Sequence, residues 1–203
     1  MTLALIDYGA GNLQSVKNAL KAAGAIDVAV TADPDVVAKA DRIVLPGVGA
    51  FAHCMAALSA IDGMIEVMER RVRSEAMPFL GICVGMQLLA DEGVEHGTHQ
   101  GLGWIGGTVR AIEPTPEIKV PHMGWNDVTP SHAHPVLETG EAYFLHGYKF
   151  EANDQAQILA TTDHGSEIVA AVGYGNILGV QFHPEKSQSY GINFLKRFLE
   201  WAP

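Results

Sequence analysis

Three times in its first half the chain passes from a short apolar stretch through a glycine-containing loop into residues at helical spacing, and this rhythm constrains the fold more than any other feature. Leu3 to Ile6 leads into Asp7-Tyr8-Gly9-Ala10-Gly11-Asn12, after which Leu13, Val16, Ala19, Leu20 and Ala23 recur one helical turn apart up to Gly24. Asn12 stands where an N-cap is expected. Arg42 to Leu45 reads as a buried strand and runs into Pro46-Gly47-Val48-Gly49-Ala50 and a helix-compatible stretch around Cys54. Pro78 to Ile82 is a third short strand, followed at once by helical spacing over Gly85 to Leu89. Ile26, Val28 and Val30 add an alternating strand, and Met64 to Val72 a helix with an outer charged face. Short strands alternating with helices predict an α/β fold with a mainly parallel central sheet and helices on both faces.

The second half is richer in strand. Thr108 to Ile112, Tyr143 to Leu145, Ile158 to Thr162, Ile168 to Val172 and Ile177 to Phe182 suit strands of an added antiparallel region, and Asn193 to Trp201 suits a helix. Prolines and histidines cluster between Ile112 and Pro135, which predicts irregular surface loops. With 203 residues, 48% of them hydrophobic, and no internal repeat or linker, a single domain over 1–203 is expected. The formal charge of -10 repels phosphate backbones and anionic membranes, so neither nucleic acid nor membrane is an expected partner. The start of the chain lacks a basic n-region and reaches Asp7 too early for a signal sequence, and no later apolar run approaches bilayer length, so a cytoplasmic protein is expected. There Cys54 and Cys83 should be one buried thiol and one reactive thiol instead of a disulfide.

Cys83 is the reactive candidate. Gly81-Ile82-Cys83-Val84-Gly85 has the nucleophile-elbow pattern with cysteine at its centre, between a predicted strand and a predicted helix. Flanking glycines remove side chains that would clash at a tight turn, and the helix N-terminus beyond favours a thiolate. The bland alternative is a small core thiol with glycines for packing. A thiolate needs a partner that delivers a proton to the leaving group, and His183 in Gln181-Phe182-His183-Pro184-Glu185-Lys186 ends a predicted strand with Glu185 placed to orient its ring. The glycines of Gly47-Val48-Gly49 allow backbone N–H groups to face a site, so an oxyanion hole is expected from this segment and the N–H of Val84. His132 and His134, and His96 and His99, lack a Cys or carboxylate to complete a ligand set, so neither metal nor other cofactor is expected. Cys54 reads as a packed core thiol.

Taken with the Asp7 to Asn12 start and Pro121-His122-Met123-Gly124-Trp125-Asn126, these motifs resemble the class I glutamine amidotransferases nearly end to end, and within them the glutaminase subunits of imidazole glycerol phosphate synthase. The resemblance implies a flavodoxin-like amidotransferase fold and a Cys83, His183, Glu185 triad that hydrolyses L-glutamine. It implies glutamine contacts at Gln87 and Glu95, and a heterodimer in which ammonia passes to a (β/α)8 cyclase subunit. Asn12, Trp125, Tyr143 and Lys186 match family positions near that cyclase. The chain departs from the pattern at Gly147 in His146-Gly147-Tyr148, where the family commonly carries a hydroxyl residue. Rival readings are a glutaminase serving another synthase, an elbow-cysteine redox or chaperone protein that would not need Glu185, and a plain flavodoxin-like binding module.

Overall fold

The computed structural model describes residues 1–116 and 118–203. The first half runs β1 (Thr2–Ile6), α1 (Leu13–Ala22), β2 (Asp27–Thr31), α2 (Pro34–Ala38), β3 (Arg42–Gly47), α3 (Phe51–Ser59) and α4 (Met64–Met68), then a π-helical turn at Glu69–Ser74. β4 (Phe79–Cys83), α5 (Val84–Gln87), β5 (Glu92–Gly93), β6 (His99–Gln100) and β7 (Gly107–Ala111) follow. The rest comprises β8 (His122–Pro130), β9 (Gly140–His146), β10 (Tyr148–Ala152), β11 (Ile158–Asp163), β12 (Glu167–Tyr174), β13 (Ile177–Val180) and α6 (Gln188–Glu200).

Among the described residues the main sheet has the order β2-β1-β3-β4-β13-β12-β11-β8-β9, and β10-β7-β5-β6 form a second, smaller sheet. Strands β2, β1, β3, β4 and β13 pair in parallel. The pairings from β13 through β12, β11, β8 and β9 are antiparallel, so the added region is as broad as the parallel one. Every residue of β3, β4 and β13 is buried. That is why these strands read as unbroken apolar runs: helices cover both faces of a parallel sheet. Strand order reverses about β1, and open α/β sheets bind ligands at the carboxyl ends of strands near such a reversal.

Two features aim the C-terminal part of the chain at that sheet end. α6 buries Phe194, Leu195, Phe198 and Leu199 on one face, and Phe182 packs edge-on against Phe194 at 5.3 Å and Phe144 at 6.0 Å. Gly191 lets α6 touch the turn after Phe182, since a Cβ there would lie 1.9 Å from the Pro184 carbonyl oxygen. The chain from Phe182 to Pro184 is thus gripped on both sides.

One expectation is overturned. His122 to Pro130, within the segment expected to be loops, is a nine-residue strand paired with β9. Its inward positions include His122 instead of an apolar residue, so the hydrophobic alternation that marks a strand is missing, and hydrogen bonds satisfy its polar side chain. α6 also begins at Gln188, ahead of the expected Asn193, because its first turn is polar and contains Gly191. Among the described residues no single helix is long and apolar enough to cross a membrane.

Candidate active site

The nucleophile candidate sits where β4 meets α5. Cys83 has φ 55° and ψ -111°, a left-handed conformation that costs a non-glycine residue on the order of 1–3 kcal/mol and projects its side chain off the sheet edge. The glycines beside it are demanded by space. A Cβ on Gly85 would lie 1.9 Å from the Leu45 carbonyl oxygen, and one on Gly81 would lie 2.5 Å from that of Gly85. The elbow is therefore pressed against β3, and no side chain fits between.

Strands β4 and β13 are neighbours, with Ile82 opposite Val180, so the residues just past each strand meet. His183 lies there beside Cys83, with 2% of its surface exposed, and is hydrogen-bonded through Nδ1 to Glu185 Oε1 at 2.8 Å. Glu185 shares the side of His183 because Pro184–Lys186 is a 3-10 turn, not because a strand continues. Burial alone would depress the His183 pKa; the hydrogen bonds and charges of Cys83 and Glu185 outweigh it and push the value up to about 10. Glu185 Oε2 is buried without a hydrogen-bond partner among the described residues, so His183 carries the compensation of that carboxylate. A raised value favours the imidazolium, the proton-donating form of the ring.

Gly47 and Gly49 differ in role. Gly49 has φ +102°, a conformation that side chains resist. Gly47 is an extended strand residue at which a Cβ would lie 2.7 Å from the Tyr8 hydroxyl and 2.8 Å from the Gly85 nitrogen, so close approach requires glycine there. Tyr8 donates to the Pro46 carbonyl at 2.6 Å, and the Cys54 thiol donates to that of Val48 at 3.5 Å. These bonds pin the loop from below. Cys54 is fully buried and unbridged, and burial pushes its thiol pKa up.

A cavity of about 310 Å³ opens over the sulfur, with Val48, Cys83, Gln87, Glu95, His146 and His183 among its walls. Val84 and Gly49 also line it. Gln87 is buried and gives its amide nitrogen to the Tyr148 carbonyl at 3.2 Å and to Gln181 Oε1 at 3.0 Å, which leaves its own oxygen to face a ligand donor. Glu95 accepts from the Phe51 N–H at 2.7 Å and so caps α3, whose N-cap residue Ala50 has no side chain able to do this. At Gly147 a Cβ would meet Val120 Cγ1 at 3.6 Å, an ordinary contact, so the missing hydroxyl is not forced by space.

Sequence reasoning missed what lies behind this wall. His146 Nδ1 is 2.7 Å from the Tyr148 carbonyl, His122 Nδ1 is 2.9 Å from His146 Nε2, and the Asn126 amide nitrogen is 3.0 Å from His122 Nε2. A carbonyl can only accept, so every proton in this chain is fixed in order, from Asn126 inward to Tyr148, with both rings neutral. Burial first, and the neighbouring histidines next, lower His122 to about 3; burial likewise lowers His146 to about 4. Gln181 was also missed, although it lies inside the quoted His183 motif. Its amide nitrogen is 3.7 Å from Cys83 Sγ.

Of the four residues expected at a partner face, three form one stack. Lys186 Nζ lies 5.8 Å from the centre of the Tyr143 ring, and Trp125 meets that ring edge-on at 6.2 Å. Trp125 is 47% exposed, and Met123 beside it 65%, so this is an apolar surface beside the cavity, which Lys186 also lines. Asn12 is exposed and caps α1 by accepting from the Ser15 N–H at 3.3 Å.

The chain is similar to known proteins over nearly its whole length. The profile of the family Glutamine amidotransferase class-I matches residues 4–201. The imidazole glycerol phosphate synthase subunit HisH of Zymomonas mobilis subsp. mobilis is 61% identical, covering 100% of this chain and 97% of its own length. That of Rhodospirillum rubrum is 52% identical, covering 100% of both. Among solved structures, a glutamine amidotransferase superposes with a TM-score of 0.77 at 20% identity, covering 98% of each chain. PurLQS from Thermotoga maritima gives 0.70 at 19% identity, covering 98% of this chain and 95% of that one. At such identities the structural likeness speaks for the fold alone.

Proposed function

Because this chain belongs to the class I glutamine amidotransferase family, we propose that Cys83, His183 and Glu185 are the triad with which it hydrolyses the side-chain amide of glutamine. The chain is a glutamine amidotransferase, the glutaminase subunit of imidazole glycerol phosphate synthase in histidine biosynthesis. The observation that supports the triad is that Cys83 and His183 line one cavity together while the buried His183 ring is held through Nδ1 by Glu185 Oε1 at 2.8 Å.

The Cys83 thiolate attacks the amide carbon of glutamine. Negative charge moves to the amide oxygen, which accepts from the backbone N–H groups of Val84 and of the Gly47-Val48-Gly49 segment. His183 gives its proton to the amide nitrogen, the C–N bond breaks, and ammonia leaves a γ-glutamyl thioester. The neutral ring then takes a proton from water as the oxygen adds to the thioester carbon, and sulfur departs as thiolate, regenerating the ion pair. Each turnover consumes glutamine and water and yields glutamate and ammonia. Gln87, through its free oxygen, and Glu95 hold the amino-acid end of the substrate, and an acceptor at the first of these suits the donating α-ammonium group.

We read residues 1–203 as one amidotransferase unit, working in the cytoplasm, where unpaired thiols persist. Its partner in this reading is the cyclase subunit of the same synthase, a (β/α)8 barrel docked one-to-one on the Trp125, Tyr143 and Lys186 stack with Asn12 at its margin; the ammonia enters that barrel. Cys83→Ala tests the triad. It should abolish glutamate formation while the complex still makes product from ammonium salts, whereas Cys54→Ala should leave glutamine use within a small factor; glutamine-dependent activity retained by Cys83→Ala would refute the assignment.

A further inference from the structure

We propose that Gln181 is a further catalytic residue, donating a side-chain N–H to the sulfur of Cys83 and holding it as a thiolate; the proposal rests on Cys83 being the nucleophile. Gln181 is wholly buried, and a primary amide is costly to bury unless its groups are paired. Its backbone N–H goes to the Ala170 carbonyl at 2.9 Å and its Oε1 accepts from Gln87 at 3.0 Å. That leaves Nε2, whose hydrogen-bond acceptor is Cys83 Sγ at 3.7 Å.

The direction of this amide is enforced. Gln87 has two acceptors to serve, the Tyr148 carbonyl and Gln181 Oε1, and only its nitrogen can serve both. Turning Gln87 over would set its oxygen against a carbonyl. Turning Gln181 over would set two NH2 groups against each other and an oxygen against the sulfur. The Tyr148 carbonyl is itself held by His146, at the inner end of the ordered chain that starts at Asn126. The Tyr148 carbonyl, which can only accept, fixes Gln87 on one side as it fixes His146 on the other; Gln87 in turn fixes Gln181, and the last link is an N–H aimed at sulfur.

A neutral thiol is a weak acceptor and a thiolate a strong one, so this donor favours the charged form. It acts twice in the reaction. It stabilises the attacking thiolate before the C–S bond forms, and again when that bond breaks and sulfur leaves the tetrahedral adduct of water. His183 shares this task while its proton is on the ring, but that proton leaves for the departing nitrogen, whereas the Gln181 donor stays in place throughout.

The test uses Gln181→Met, which keeps length without a donor, and Gln181→Glu, which keeps shape. Cys83 is alkylated with iodoacetamide across a pH series and followed by peptide mass spectrometry, while kcat and KM for glutamine are measured in the complex. Loss of a hydrogen bond to a charged group should slow alkylation near neutral pH about 10- to 100-fold and move its pH–rate profile upward by about one unit or more. Gln181→Glu should shift the profile at least as far. In both variants kcat should fall while KM stays within a small factor. A profile superimposable on the parent's in either folded variant would overturn the proposal. If alkylation of the parent at Cys83 left glutaminase activity intact, the nucleophile assignment would fall instead, so the two failures are told apart.

Discussion

The buried pair His122 and His146 makes the stability of this protein fall on mild acidification, and a single substitution should remove a measurable part of that loss. Both rings are held below the ordinary histidine value of 6.5, to about 3 and about 4, by burial first and then by neighbouring histidines, His146 and His164 for His122, His164 and His183 for His146. The unfolded chain therefore takes up protons that the folded chain refuses. Stability from this source is fully present above the unfolded value and is lost as pH falls from there toward the folded values. Protonating His122 would place a second donor against the Asn126 amide, and protonating His146 would set one against His122, so either event breaks the ordered chain. At about pH 5 an unfolded histidine is almost wholly charged, and a fully shielded ring that stays neutral loses up to about 2 kcal/mol relative to neutral pH; with partial screening we expect 1–2 kcal/mol, order of magnitude, for His122. His183 acts in the opposite sense: its raised value of about 10 gives stability that is complete below 6.5 and lost as pH climbs toward 10. That contribution is common to parent and variant, and cancels. Urea unfolding of the parent and of His122→Gln, each near pH 7.5 and near pH 5, reads the effect. The variant should start less stable but lose less on acidification, by the amount just given. An equal loss in both proteins would refute the reasoning, whatever the variant's stability at neutral pH.

His183→Ala should lower kcat for glutamine by about 10⁴-fold or more and Glu185→Gln by less, since one moves the proton and the other orients the ring; steady-state kinetics showing the reverse order would overturn those roles. Gly85→Ala forces a Cβ to within 1.9 Å of the Leu45 oxygen and should destabilise the protein by about 3 kcal/mol or more, read by thermal or urea unfolding. Gly147→Ser meets only an ordinary contact with Val120 and should stay within about 0.5 kcal/mol of the parent in the same assay.

What could be read in the sequence was what local chemistry writes locally. The elbow at Cys83 was legible because its glycines are dictated by backbone spacing inside one strand-turn-helix unit, and the parallel strands because burial on both faces makes them uniformly apolar. Glu185 was found for an incomplete reason: the two-residue spacing suggested a strand, and a 3-10 turn provides the same side. β8 was hidden because its buried side chain at His122 is polar and draws its partners, His146 and Asn126, from a cross-strand neighbour and its own strand. Glu95 could be singled out as a ligand residue by likeness, yet nothing near it in sequence tells that it caps a helix starting at Phe51. Gln181 carried no signal of its own, since a glutamine next to a strand end is ordinary until its amide nitrogen is seen to meet, among the described residues, the Cys83 sulfur.

The pairing of β4 with β13 has a consequence for how the protein comes into being. Cys83 and the donor that meets its sulfur are 98 residues apart, and the strand joining them to one sheet, β13, is made after every other described strand of that sheet. Contacts of such long separation form late and slowly compared with local ones. Until β13 and the turn after it have left the ribosome, the chain carries a cysteine without His183, Glu185 or its cavity wall, and β4 lies at an open edge. The capacity to release ammonia is therefore acquired at once, when the last strand closes that edge, and a prematurely terminated chain lacking β13 cannot acquire it at all.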